Sequence, residues 1–226
     1  MSESGWQRVK VWDGWVRLFH WSLVLLVEAQ WATAELGQME WHFRCGYLIL
    51  ALLLFRLAWG LVGSETARFA RFLKSPAAAL AHLRHLTRRE PDTEVGHNAA
   101  GGWMVLGLLG LLLAQVGTGL FANEEPSESY GAHGPFALRI ADSLSAQLTE
   151  LHELLFNGIL VAVALHVLAV LTYAVLKRHD LVRPMITGFK RLPAGIAAPR
   201  LGSPWLALPL LAAALGMVWW LSLQGG

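Results

Sequence analysis

Two histidines, His152 and His166, lie 14 residues apart in a continuous apolar stretch. At about 100° per residue this interval is close to four helical turns, so both rings leave one helix face, separated by about 21 Å along the axis. Two imidazoles at two depths of a membrane helix can each hold one iron on the interior of a helical bundle. The chemistry this spacing predicts is electron transfer across a bilayer through two haems. The chain contains one cysteine, Cys45, which excludes an internal disulfide and a cysteine-based metal cluster. It has no C-x-x-C-H segment for covalent haem attachment, so non-covalent b-type haem is expected.

The elements that must position these rings follow from composition. Of 226 residues, 55% are hydrophobic and 15% charged, which is too apolar for an ordinary soluble domain and fits a polytopic membrane protein. Eleven tryptophans suit rings placed at the lipid–water boundary. Five apolar spans are predicted at roughly 18–35, 43–62, 100–121, 151–176 and 204–223, each near the length that crosses a bilayer. The third is rich in glycine (Gly101, Gly102, Gly107, Gly110, Gly117, Gly119), which allows close approach of another helix or of a flat cofactor. Residues 66–90 alternate basic and apolar positions and are expected to form one or two short helices on the membrane surface. No internal repeat and no low-complexity segment stands out.

Loop charge sets an orientation. Arg8, Lys10 and Arg17 precede the first span, six Lys/Arg lie between Arg68 and Arg89, and another six lie between Lys177 and Arg200. The other two loops are poor in Lys and Arg, and 122–150 is mildly acidic through Glu124, Glu125, Glu128 and Asp142. The positive-inside rule then puts the N-terminus in the cytoplasm and the C-terminus outside. A cleaved signal peptide ending at Ala32-Thr33-Ala34 is the alternative for the first span, but cleavage would discard His20.

Orientation sorts the nine histidines by depth. His42 and His152 open spans two and four from outside. His20 opens span one from inside, and His166 lies four turns deeper than His152. The pairs His42/His152 (outer) and His20/His166 (inner) each supply two axial nitrogens to one iron. For any one ring, a buried hydrogen-bonded histidine is the alternative; four rings matching by depth argue against coincidence. His97 could contact a quinone or a haem propionate, with a solvated loop residue preferred; His82, His85, His133 and His179 are expected to be structural or solvent-exposed. Arg56 follows His42 by 14 residues, on the same face but about 21 Å deeper. A haem propionate would neutralise it, and snorkelling to the inner surface is the alternative. Arg17 and Arg44 are further propionate candidates. Glu28 and Gln30 lie within span one, where an acid suggests a proton path or a neutral hydrogen-bonded carboxyl.

At these residues the chain resembles the bacterial cytochrome b561 family, and within it the branch related to the b-type subunit of nickel–iron hydrogenases. The resemblance rests on Val11-Trp12-Asp13 through Arg17-Leu18-Phe19-His20-Trp21, on His42 with Gly46-Tyr47 and Arg56, and on His152 and His166, and it covers about 9–192. It implies a four-helix core holding two b haems with His20, His42, His152 and His166 as axial ligands. It also implies electron exchange between a quinone pool and a partner on the outer side. The fifth span departs from the shortest members, which stop after four, and could dock another subunit.

The fold expected is all-α, a polytopic transmembrane bundle, with residues 1–200 as the di-haem domain and 201–226 as an additional C-terminal helix. The function expected is electron transfer across the bacterial inner membrane between quinone and a periplasmic c-type cytochrome or oxidoreductase subunit. Membrane lipid surrounds the chain, no nucleic acid is involved, and the oligomeric state is left open. Three rivals stand beside this: a self-contained oxidoreductase such as a superoxide:quinone oxidoreductase, a metal-ion transporter, for which acidic or thiol ligands along the path are lacking, and a structural anchor.

Overall fold

A computed structural model describes residues 5–86, 88–123 and 133–225. The elements run β1 (Trp6–Lys10), α1 (Gly14–Glu35), α2 (Met39–Val62), α3 (Phe69–Phe72), α4 (Pro76–Arg84), α5 (Ala99–Gly119), a short turn of helix at Ala137–Arg139, α6 (Asp142–Thr172), a π turn (Tyr173–Lys177), α7 (Val182–Thr187), β2 (Phe189–Pro193) and α8 (Pro204–Gln224). Of the acidic outer-loop residues, Glu124, Glu125 and Glu128 lie outside the described residues, whereas Asp142 opens α6.

The chain is a helical membrane protein. Among the described residues, four helices are long and apolar enough to cross a membrane: α2, α5, α6 with its π turn, and α8. The helix α1 has 22 residues, but Arg17, His20, Glu28 and Gln30 dilute its apolar character. The helix α6 starts at Asp142 rather than near 151, because 142–150 is helical but too polar to read as a span. Only 11% of the most apolar window of α6 is buried, which leaves Leu154, Val161 and Leu168 to face acyl chains. The segment 66–90 holds α3 and α4, with Ser75 capping α4 by accepting the Ala78 amide at 3.2 Å and Pro76 in its first turn.

Two compact units are distinguished. The first comprises Met1–Phe19, Arg56–Gly107 and Ala162–Leu208. Within it β1 and β2 pair antiparallel, from Trp6 opposite Pro193 to Lys10 opposite Phe189. Sequence patterning did not reveal these strands: each has only five residues, β1 buries only Val9, and one of the two buried positions of β2 is a lysine, Lys190. Gly188 stops α7 with φ +85°, and its carbonyl accepts the amides of Val11 and Trp12 at 2.8 and 3.1 Å. A Cβ there would lie 2.8 Å from the Trp12 carbonyl oxygen. Asp13, 5% exposed, accepts the Val16 amide at 2.8 Å to start α1 and the Trp59 indole N–H at 3.1 Å from α2. Trp59, Val11 and Leu192 form the centre of this unit's core.

The second unit comprises His20–Phe55, Leu108–Val161 and Pro209–Gly226. Its core includes Leu53, Phe55, Leu112 and Ile159. The α1–α2 turn is tight because Gly37 takes φ +64° and the Gln38 amide reaches back to the Thr33 carbonyl at 2.8 Å. The start of α6 is tied down by Ser145, whose hydroxyl donates to the Phe121 carbonyl at 2.7 Å, and by Thr149, which accepts the Asn123 amide at 2.9 Å.

Candidate functional site

The second unit brings His42 and His152 together. His42 sits in the first turn of α2 and His152 in α6, with ring centroids 6.4 Å apart and ring planes at 71°. A ring nitrogen binds a metal at about 2 Å, so two imidazoles sharing one iron from opposite sides stand with centroids about 6 Å apart. The observed spacing fits that demand.

Each ring is held by a glutamine on the preceding long helix. His42 Nδ1 donates to the Gln30 backbone carbonyl at 3.0 Å, and the Gln30 side-chain amide lies 3.0 Å from His42 Nε2. His152 Nδ1 donates to the Gln115 carbonyl at 2.9 Å, and the Gln115 amide lies 3.0 Å from His152 Nε2. A proton fixed on Nδ1 leaves the Nε2 lone pair as the ligating one. Each glutamine carbonyl also accepts a threonine hydroxyl, from Thr33 at 3.1 Å and from Thr118 at 2.9 Å. The same pattern, Ala-Gln-x-x-Thr, thus occurs at Ala29–Thr33 and at Ala114–Thr118. A short internal repeat therefore exists where none stood out. Gln115, Thr33 and Thr118 were missed as functional residues, and this doubled motif is the signal that finds them. The side-chain oxygens Gln30 Oε1 and Gln115 Oε1 are buried with no hydrogen-bond partner among the described residues, so neither amide is fully satisfied in this arrangement.

The remaining candidates fall as follows. His20 is half-buried in the second unit, edge-on to Trp21 with centroids 4.9 Å apart. His166 is half-buried on α6 within the first unit. Arg56 is 3% exposed in the first unit, with its guanidinium 5.0 Å from the Phe69 ring centre and Nη1 lacking a hydrogen-bond partner among the described residues. The buried Asp13 carboxylate of the same unit is its nearby opposite charge, and the unfilled donor suits a further anion, a chemistry that a haem propionate has. Arg17 is committed to the backbone carbonyls of Asp13 at 3.3 Å and Ile186 at 2.5 Å. Arg44 is exposed and pairs with Glu40 one turn earlier at 2.5 Å. Glu28 is exposed on α1 and makes no hydrogen bond among the described residues.

His97 is less solvated than the loop reading preferred for it, and His82 is also half-buried. His97 is half-buried between Trp12 and Phe72, with ring centroids 4.7 Å from each. The Tyr173 hydroxyl lies 2.5 Å from His82 Nε2 and accepts the Asn98 amide at 2.9 Å, while Asn98 Oδ1 caps α5 at the Gly101 amide, 2.7 Å away. Burial, with help from nearby Lys177, pushes His82 below its ordinary value. Of the glycines in α5, Gly102 and Gly119 are needed for close packing: a Cβ would lie 2.9 Å from the Phe72 carbonyl in the first case and 2.8 Å from the His152 ring in the second. Open space surrounds Gly107, Gly110 and Gly117.

No curated protein and no solved structure matches the chain. The family model described as prokaryotic cytochrome b561 matches residues 11–188, a stretch that includes His20, His42, Arg56, His152 and His166 together with both glutamine–histidine pairs. A family of membrane proteins that bind b-type haem accounts for a bis-imidazole site in so apolar a chain, and the protein belongs to the prokaryotic cytochrome b561 family.

Proposed function

We propose that the protein is a di-haem b-type cytochrome that carries electrons across the bacterial inner membrane between a quinone and a redox partner on the periplasmic side, such as a c-type cytochrome or an oxidoreductase subunit. In this reading His42 and His152 are the axial ligands of the outer haem, and His20 and His166 those of the inner one. Residues 1–200 form the haem-carrying domain, and 201–226 add a helix to it. Bound haem supplies a one-electron carrier whose potential is set by ligation, burial and hydrogen bonding. The chain's own contribution is to orient the ligands. The Gln30 and Gln115 carbonyls fix which nitrogen of His42 and His152 carries the proton, and so present Nε2 to the iron. Arg56 offers an unfilled donor to an anionic group. The observation that carries the reading is the 6.4 Å separation of the His42 and His152 rings, each locked by a glutamine carbonyl.

The test is a pyridine haemochrome assay with redox potentiometry on the purified protein and on four variants. Two b haems per chain are expected. His42→Ala and His152→Ala should abolish the same spectral component, and His20→Ala and His166→Ala the other. A single haem per chain, or different components lost from His42→Ala and His152→Ala, would overturn the assignment.

A further inference from the structure

At the C-terminal end of α6, within the first unit, a cavity of about 650 Å³ opens between the π turn, α7 and the β1–β2 pair. Six lysines and arginines line it against three carboxylates. Two of those carboxylates are already engaged: Asp92 by Lys190 at 2.7 Å, and Asp180 by the amides of Val182 and Arg183 at 3.1 and 2.9 Å. Among the cations, Arg8, Lys177, Arg178, Arg183 and Arg191 have no carboxylate within ion-pair distance among the described residues.

Lys177 is the decisive group. It closes the π turn, is 8% exposed, and its ammonium lies 5.8 Å from the Tyr173 ring centre, with no hydrogen bond to any oxygen among the described residues. The side chain is held by the fold while its ammonium faces the cavity without a carboxylate partner among the described residues, so an anion entering the cavity meets a positioned positive charge. The next residue, Arg178, adopts the left-handed conformation with φ 58°, which ends the helix and leaves its side chain on the cavity wall. Arg183 and Arg191 are exposed on the same wall, and Arg8 stacks over Phe189 at 4.0 Å. The guanidinium forks of Arg178, Arg183 and Arg191 line one cavity with the Lys177 ammonium and suit an oxyanion that takes bidentate hydrogen bonds and a point charge together, which is the chemistry of phosphate. Trp6, 52% exposed on the rim, and the end of an apolar span place the cavity at the depth of a lipid headgroup.

We infer that this cavity is a binding site for a phosphate-bearing anion, either the headgroup of an acidic phospholipid or a free phosphate. The inference does not depend on the haem assignment. The test uses the haem-loaded protein in dodecyl maltoside, titrated by calorimetry with dioctanoyl phosphatidylglycerol, with dioctanoyl phosphatidylcholine as the zwitterionic control, and separately with inorganic phosphate. One saturable site per chain is expected, weakened about tenfold in Lys177→Met and by a similar factor in the double variant R183A/R191A. Both arginines are exposed, so the double variant keeps the test alive if Lys177→Met fails to fold. An unchanged visible spectrum reports intact variants. Phosphatidylglycerol binding that inorganic phosphate does not displace identifies a lipid; displacement, or binding of inorganic phosphate alone, identifies the free anion. Absence of binding by both probes, or affinities equal in wild type and intact variants, would overturn the inference.

Discussion

Arg56 shows how a single residue links the sequence to the cofactor chemistry. It is 3% exposed, its Nη1 has no hydrogen-bond partner among the described residues, and it follows His42 by the same 14 residues that separate His152 from His166. The buried Asp13 carboxylate lends it an opposite charge from the same unit, and the unfilled donor suits a second anion beside it. Replacing it by leucine removes both relations. The haem-free protein should be destabilised, because Asp13 loses a nearby cation. In the loaded protein the inner haem loses a nearby positive charge that favours the reduced iron, and its midpoint potential should drop by on the order of 60 mV, a tenfold change for one electron. Potentiometry of Arg56→Leu beside wild type checks this; an unmoved potential would separate Arg56 from the haem. Arg56 was legible in the sequence because a charge in an apolar run is conspicuous. Gln115 was not, because it meets His152, 37 residues away, only through the tertiary packing of α5 on α6, by its carbonyl and by its side-chain amide. Gln30 was noticed only as a polar residue in a span, and its hold on His42 became visible once the repeated Ala-Gln-x-x-Thr was read together with the histidines.

The helices show the same division at the scale of elements. Long apolar runs disclosed four spanning helices and the histidine-bearing α1, since twenty apolar residues in succession have few other uses. The polar first turns of α6, the π turn at Tyr173–Lys177 and the β1–β2 pair escaped, because each depends on tertiary partners rather than on periodicity. Glycine is the intermediate case. The stripe in α5 predicted close approach in general, but the approach is confined to Gly102 and Gly119. At Gly119 the neighbour is a proposed haem ligand: an added Cβ would fall 2.8 Å from His152 Cε1, a separation that side chains do not sustain. Gly119→Ala should push the imidazole off the Gln115 carbonyl and cut outer-haem occupancy at least several-fold. Gly110→Ala, where open space surrounds the position, should leave haem content unchanged. The haemochrome assay on the two variants distinguishes them, and equal haem content in both would show that the α5–α6 contact tolerates the extra methyl group.

For the whole molecule, the open question is which way the chain threads the bilayer. The hairpins α1–α2 and α5–α6 each carry Ala-Gln-x-x-Thr near the end of the first helix and a proposed ligand in the second, His42 in the first turn of α2 and His152 in the first half of α6. With His42 and His152 rings 6.4 Å apart, both hairpin turns must emerge on one side of the membrane. That geometry leaves the side undetermined, and loop charge supplies it. The connections that follow α2 and α6 carry Arg68, Arg71, Lys74, Arg84, Arg88 and Arg89 in one and Lys177, Arg178, Arg183, Lys190, Arg191 and Arg200 in the other, whereas the α1–α2 turn carries none. Short basic connections resist translocation, so both are expected on the cytoplasmic side. Alkaline phosphatase, active only outside the cytoplasm, should therefore be active when fused after Gly37 or Gly226 and inactive after Arg89 or Arg191. The reverse pattern would exchange the inner and outer haems while keeping each histidine pair, and would move the basic cavity at the end of α6 to the periplasmic face. A mixed pattern would instead break the common side of the two hairpins, and with it the sharing of one iron by His42 and His152.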